Sequence, residues 1–196
     1  LAIIFPAVAA LIVVGSGIGV GITFISNPFG GEPINLKFMV LGLLPASAVF
    51  SWLWMMGMMY TTKFLDGLDG LVSGIGVIAS FTLFCLTMAP QVNQPITATL
   101  AIILTGALLG YLIHAFYPAS IFFGDGGSLF VGFMLGVLSI ILGGKIATAL
   151  LVMGIPILDT AWVIIRRKFL EGKSITSADN KHLHFRLLSA GFSQQK

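Results

Sequence analysis

The chain has 196 residues, of which 57% are hydrophobic and 9% charged, with a formal net charge of +3. A soluble domain carries about 25% charged residues, so this chain cannot clothe itself in charge; a water-soluble fold is excluded and no nucleic-acid partner is expected. Backbone inside a bilayer must satisfy its own hydrogen bonds, which leaves helices or a closed barrel. The apolar runs are continuous rather than alternating, so the expected fold is all-α, a polytopic bundle of transmembrane helices.

A crossing helix needs about 20 residues, and on that measure the sequence offers six candidate spans. The first covers about 1–22 and is followed by the turn-rich stretch SNPFGGEPIN at 26–35. The chain opens at Leu1, already inside an apolar run, so it reads as a piece of a longer protein; no signal peptide is expected. The second span, about 38–60, carries Trp52 and Trp54 and runs into KFLDGLDGL at 63–71. The third covers about 71–89 and stops at Pro90; the fourth, about 96–116, stops before Pro118. SIFFGDGGS at 120–128 then leads into a fifth span at about 129–143 and a sixth at about 146–165. The expected division is a transmembrane catalytic bundle over 1–165 and a polar, basic cytoplasmic loop over 166–196. Cys85, the single cysteine, excludes an internal disulfide and is expected to be a small buried hydrophobe. Gly106 with Gly110, and Gly132 with Gly136, have the small-xxx-small spacing of closely packed helices.

Parity places the polar motifs. Asp66 and Asp69 follow the second span, Asp125 the fourth, and the histidine segment the sixth, so all three should share one face of the membrane. Eight of the ten basic residues fall on that face, and only Lys37 and Lys145 on the other. Lys and Arg concentrate on the cytoplasmic side, so the motif face is expected to be cytoplasmic and the protein a multi-pass component of the plasma membrane.

Ionisable groups at a membrane boundary call for a function. Were the backbone helical, Asp66 and Asp69 would share a face with Lys63 one turn earlier; a plain helix cap needs one aspartate, not two. Asp125 lies among glycines that let a backbone approach phosphate closely, and Ser128 could cap a helix whose amino end attracts anions. Mg²⁺ takes oxygen ligands and usually bridges one or two carboxylates to substrate phosphates, a role that fits Asp125. His182, His184, Lys181 and Arg186 form a cluster suited to a polyanion. His114 stands alone in the fourth span, packed or interfacial; Asp159 lies within the sixth, where it should pair with another helix or cap a helix broken after Pro156.

Taken together, DGLDGL at 66–71, FFGDGGSLFVG at 122–132, ILDT before an Arg pair at 157–167 and ADNKHLHFRLL at 178–188 resemble the polyprenyl-phosphate N-acetylhexosamine-1-phosphate transferases. The HLHFRLL form is nearer the undecaprenyl-phosphate N-acetylglucosamine-1-phosphate branch than the phospho-N-acetylmuramoyl-pentapeptide transferases. The resemblance implies that polyprenyl phosphate attacks the sugar-bearing phosphorus of a UDP-sugar and releases UMP, the first membrane step of cell-envelope polysaccharide synthesis. It implies Asp66, Asp69, Asp125 and His184 as catalytic residues and His182 and Arg186 as substrate contacts; the chemistry of the residues themselves adds Lys63, Gly126 and Ser128 as substrate contacts. It further implies Mg²⁺, or Mn²⁺ in its place, on Asp125 with Asp69 as a second candidate ligand. A homodimer is a further expectation.

The sequence departs from the family in three places. The family's Asp-Asp loop precedes the span matching 1–22 and is not within this chain; Tyr60 and Lys63 stand where asparagines are usual; Phe185 replaces the second histidine of a pair. A charged lysine cannot ligate Mg²⁺, so Lys63 is expected to meet phosphate directly. Two readings from other classes remain: a homologue that lost catalysis and serves in binding or assembly, and an ion-coupled transporter, which would need acids near the midplane of its spans.

Overall fold

The computed structural model describes residues 3–16, 21–25, 32, 34–36, 38–40, 44–142, 146–166 and 191. Among them the chain is mostly helical. Helix α1 spans Ile4–Gly15, α2 Ala46–Leu65, α3 Leu71–Thr87, α4 Pro95–Ala115, α5 Gly124–Ile141 and α6 Ile146–Ile165. Between α1 and α2 lie two short antiparallel hairpins. Strand β1 (Phe24–Ile25) pairs with β2 (Ile34–Asn35), and β3 (Met39–Val40) with β4 (Leu44–Pro45). The second apolar run therefore enters its helix at Ala46, later than the expected 38, and continues to Leu65, past the expected 60. Pro45 explains the start: it has no N–H to give a preceding turn and sits extended at the N-cap.

Two helices among the described residues are long and apolar enough to cross a membrane, α4 with 21 residues and α5 with 18. At 1.5 Å per residue these reach about 30 Å, the thickness of a hydrocarbon core. Their outward faces are apolar; Ile96 and Ile113 on α4 are 80% and 78% exposed. Cys85 also lies on the outward surface of α3, which corrects its expected burial.

The tightest helix pairs are α3 with α4 and α2 with α5. Gly132 makes the second possible. A β-carbon there would run into the Thr62 hydroxyl and come to 2.6 Å from both the Met58 carbonyl and the Met59 α-carbon, so α5 crosses α2 nearly backbone to backbone. Gly136, one turn on, is in ordinary contact with Met58. Gly106 and Gly110 have the same spacing but open space around them, so that pair packs no described helix. In α3 the close approach falls at Gly76, where a β-carbon would meet Leu108 of α4 at 2.8 Å. The core runs along these contacts through Met58, Leu83, Leu104, Leu108 and Leu135. Buried hydroxyls are satisfied locally or across helices: Thr105 Oγ1 donates to Ser80 Oγ at 2.9 Å, and Trp54 Nε1 to Ser139 Oγ at 2.9 Å. On the α1 side Trp52 Nε1 donates to the Ala7 carbonyl at 3.1 Å.

Candidate active site

Both aspartates of DGLDGL sit in the turn between α2 and α3, not on a helix face. Asp66 is the C-cap of α2, with its N–H on the Lys63 carbonyl at 3.3 Å. Gly70 is the N-cap of α3, and neither aspartate caps that helix. Gly70 has φ of +72°, which a glycine adopts without cost. A β-carbon there would also press on Leu112 at 3.2 Å and the Ala115 carbonyl at 3.4 Å, so the turn lies flush against the end of α4. Asp69 uses that proximity: its Oδ2 accepts the Ala119 N–H at 3.1 Å. The turn after α2 is thereby tied to the connection between α4 and α5.

The second tie is an ion pair. Lys63 Nζ donates to Asp125 Oδ2 at 2.7 Å, joining the last turn of α2 to the first turn of α5. Each charge suits its helix end, since the carboxyl end of a helix attracts cations and the amino end anions. Asp125 is 74% exposed by its side chain, Lys63 only 20%. Asp66 lies close enough to feel Asp125. Burial first, and the negative charge of Asp125 second, raise its carboxyl above the usual aspartate value.

Residues 124–128 begin α5 earlier than the expected 129 and belong to its first turns. Ser128 is thus a turn inside the helix, fully buried, with its hydroxyl donating to the Gly124 carbonyl at 2.9 Å. It caps nothing and offers no surface to a substrate. Gly126 is exposed beside Asp125 and borders an apolar groove of about 340 Å³ walled by Phe5, Pro6, Met59, Phe130 and Phe133. On the other side of the carboxylates Asp66, Asp69, Ser73, Tyr111 and Phe123 line a small recess of about 20 Å³, room for one water. Tyr111 stacks on Phe123 with ring centroids 3.9 Å apart, and its buried hydroxyl has no hydrogen-bond partner among the described residues. Tyr111 and Ala119 escaped the sequence reading. The aromatic run of α4 and its exit contains no charged residue to draw notice, and a backbone N–H leaves no mark in a sequence.

His182, His184 and Arg186, with the rest of the expected 166–196 loop beyond Arg166 except Gly191, lie outside the described residues. His114 is exposed in the last turn of α4, 3.4 Å by Nδ1 from the Gly110 carbonyl. Asp159 is half-buried in α6, which continues through Pro156 without breaking. Among the described residues no three His, Cys, Asp or Glu side chains converge as a ready metal cage. The arrangement can instead do what two or three carboxylates and one ammonium can do at a helix amino end: hold a hard cation together with phosphate oxygens.

The profile of glycosyl transferase family 4 matches residues 2–143. The chain belongs to that family. A probable undecaprenyl-phosphate N-acetylglucosaminyl 1-phosphate transferase of Bacillus subtilis (strain 168) is 33% identical over 192 residues, covering 95% of this chain and 50% of the relative. A decaprenyl-phosphate N-acetylglucosaminephosphotransferase of Mycolicibacterium smegmatis is 33% identical over 211 residues, covering 96% of the chain and 50% of the relative. A phospho-N-acetylmuramoyl-pentapeptide-transferase of Limosilactobacillus reuteri is 35% identical over 153 residues, covering 76% and 46%. The chain spans about half the length of the curated family members it matches. Its matched region contains Asp66, Asp69, Asp125 and Lys63.

Proposed function

We propose that this chain is the metal-binding half of a polyprenyl-phosphate N-acetylhexosamine-1-phosphate transferase. A phosphate oxygen of the lipid attacks the sugar-bearing phosphorus of a UDP-sugar; a new P–O–P linkage forms, the bond to UMP breaks, and the sugar stays on a polyprenyl diphosphate. The observation that carries this reading is the Lys63–Asp125 pair, which gathers the DGLDG turn and the GDGGS helix start at one end of the bundle. Both reactants are anions, so bringing them together requires fixed positive charge. Lys63, the amino end of α5 and a divalent ion on Asp125 would provide it.

The residues fit Mg²⁺ or Mn²⁺. Asp125 is exposed, and Asp66, already disfavoured as an anion by burial, is near enough to feel the charge of Asp125, a strain a cation relieves. Asp66 is the better second donor, since an oxygen of Asp69 is already committed to Ala119. Asp69 instead positions the turn. When bound, the ion would neutralise phosphate charge; the chain's own part is to hold it, to orient the diphosphate on Lys63 and the α5 amino end, and to admit the lipid along the groove beside Gly126. The names of the relatives support N-acetylglucosamine-1-phosphate as the transferred group over the muramoyl-pentapeptide alternative. In this reading all six helices cross the plasma membrane, the site faces the cytoplasm, and His182, His184 and Arg186 close over the UDP-sugar. A dimer is compatible with it.

The test is UMP release by the full-length protein from UDP-N-acetylglucosamine, with polyprenyl phosphate and Mg²⁺. Asp125→Asn is expected to lower turnover by at least about 100-fold, the scale seen when a charge-stabilising group is removed from a closed site. Undiminished turnover in that variant refutes the assignment. Absence of turnover in the native protein favours the reading as a binding or assembly homologue.

A further inference from the structure

We propose that Lys63 is a tethered counter-cation that occupies Asp125 and competes with the divalent metal for it. The inference rests on the reading of Asp125 as the metal-holding carboxylate. At 2.7 Å the ammonium is in direct contact with Oδ2. The two side chains are unequally covered, Lys63 20% exposed and Asp125 74%. The lysine is therefore largely covered by protein, while Asp125 stays open to solvent. Lys63 is also anchored electrostatically, because it occupies the negative end of α2.

A metal approaching Asp125 meets a carboxylate whose charge is already shared with a cation in contact. Opposite charges at this distance are among the stronger pairings in proteins, and an added cation nearby is repelled. A site built from one or two carboxylates, with no cluster of three His, Cys, Asp or Glu among the described residues, has little other negative charge with which to offset that repulsion. Lys63 consequently keeps Asp125 neutralised and in place between turnovers. Once a phosphate arrives, the ammonium has a more highly charged partner within reach, and the carboxylate is freed.

The experiment is Mn²⁺ binding to the full-length protein in detergent, followed by electron paramagnetic resonance without nucleotide. Lys63→Met is expected to bind Mn²⁺ about three- to tenfold more tightly than the native protein, the range for losing one partly solvated contact charge. Lys63→Asn gives the same tightening should the methionine variant fail to fold. Lys63→Arg, which keeps the charge, stays at the native affinity. Asp125→Asn weakens binding by about tenfold or more. Unchanged or weaker binding in both neutral variants, with binding lost in Asp125→Asn, overturns the competition while leaving the metal assignment standing. Native affinity in Asp125→Asn overturns both.

Discussion

Asp66 is the residue whose surroundings and charge state are most at odds. Its carboxyl is raised, first by burial and then by Asp125. Folding therefore favours its protonated form, and the sign follows. As pH rises from the unfolded-state value through the folded value, Asp66 ionises at a growing cost to the native state, and above the folded value the cost is complete. Asp66→Asn should accordingly raise the melting temperature at neutral pH while leaving it nearly unchanged in acid. The same variant should lose most transferase activity, because the negative charge that burdens the fold is the charge that a metal would use. A melting temperature lowered at neutral pH would contradict this account of Asp66. The sequence made the aspartates visible as a pair, but not their different tasks. Asp69 turned out to hold Ala119, fifty positions away, and that partnership depends on where the end of α4 comes to rest.

Helices α2 and α5 set the distance between Lys63 and Asp125. Their contact hinges on Gly132, where no side chain fits between α5 and the Met58–Thr62 turn of α2. Gly132→Ala should destabilise the bundle by about 1–3 kcal/mol, as overpacking does, and should lower activity further by parting the ion pair. Gly110→Ala on α4, with nothing within 4 Å of the added carbon, should be neutral in both respects. Thermal denaturation in detergent and UMP release report the two effects. The two pairs have the same spacing in sequence, and spacing alone cannot say which one faces a neighbour. The start of α5 is a similar case. A run of glycines and an aspartate reads as a loop, yet the structure winds Gly124–Ser128 into helix, because Ser128 bonds back to Gly124 and Val131 and Leu135 anchor the following turns in the core. The hairpins between residues 24 and 45 were equally hidden, being two-residue pairings too short to show alternation.

At the scale of the whole molecule, the order of helices and the convergence of the DGLDG and GDGGS segments at one end were legible from parity, since consecutive antiparallel helices return the chain to the same side. The proposal that this end faces the cytoplasm rests on the distribution of Lys and Arg along the sequence. Orientation and function can be tested together at Gly126, which is exposed beside Asp125. In a Cys85→Ala background, Gly126→Cys should react with a membrane-impermeant thiol reagent only from the cytoplasmic side, and UDP-N-acetylglucosamine with Mg²⁺ should protect it. Gln91→Cys, in the exposed turn between α3 and α4, should react only from outside and gain no protection. Labelling of position 126 from outside, or labelling there that the nucleotide sugar leaves unchanged, would contradict a cytoplasmic phosphosugar-transfer site.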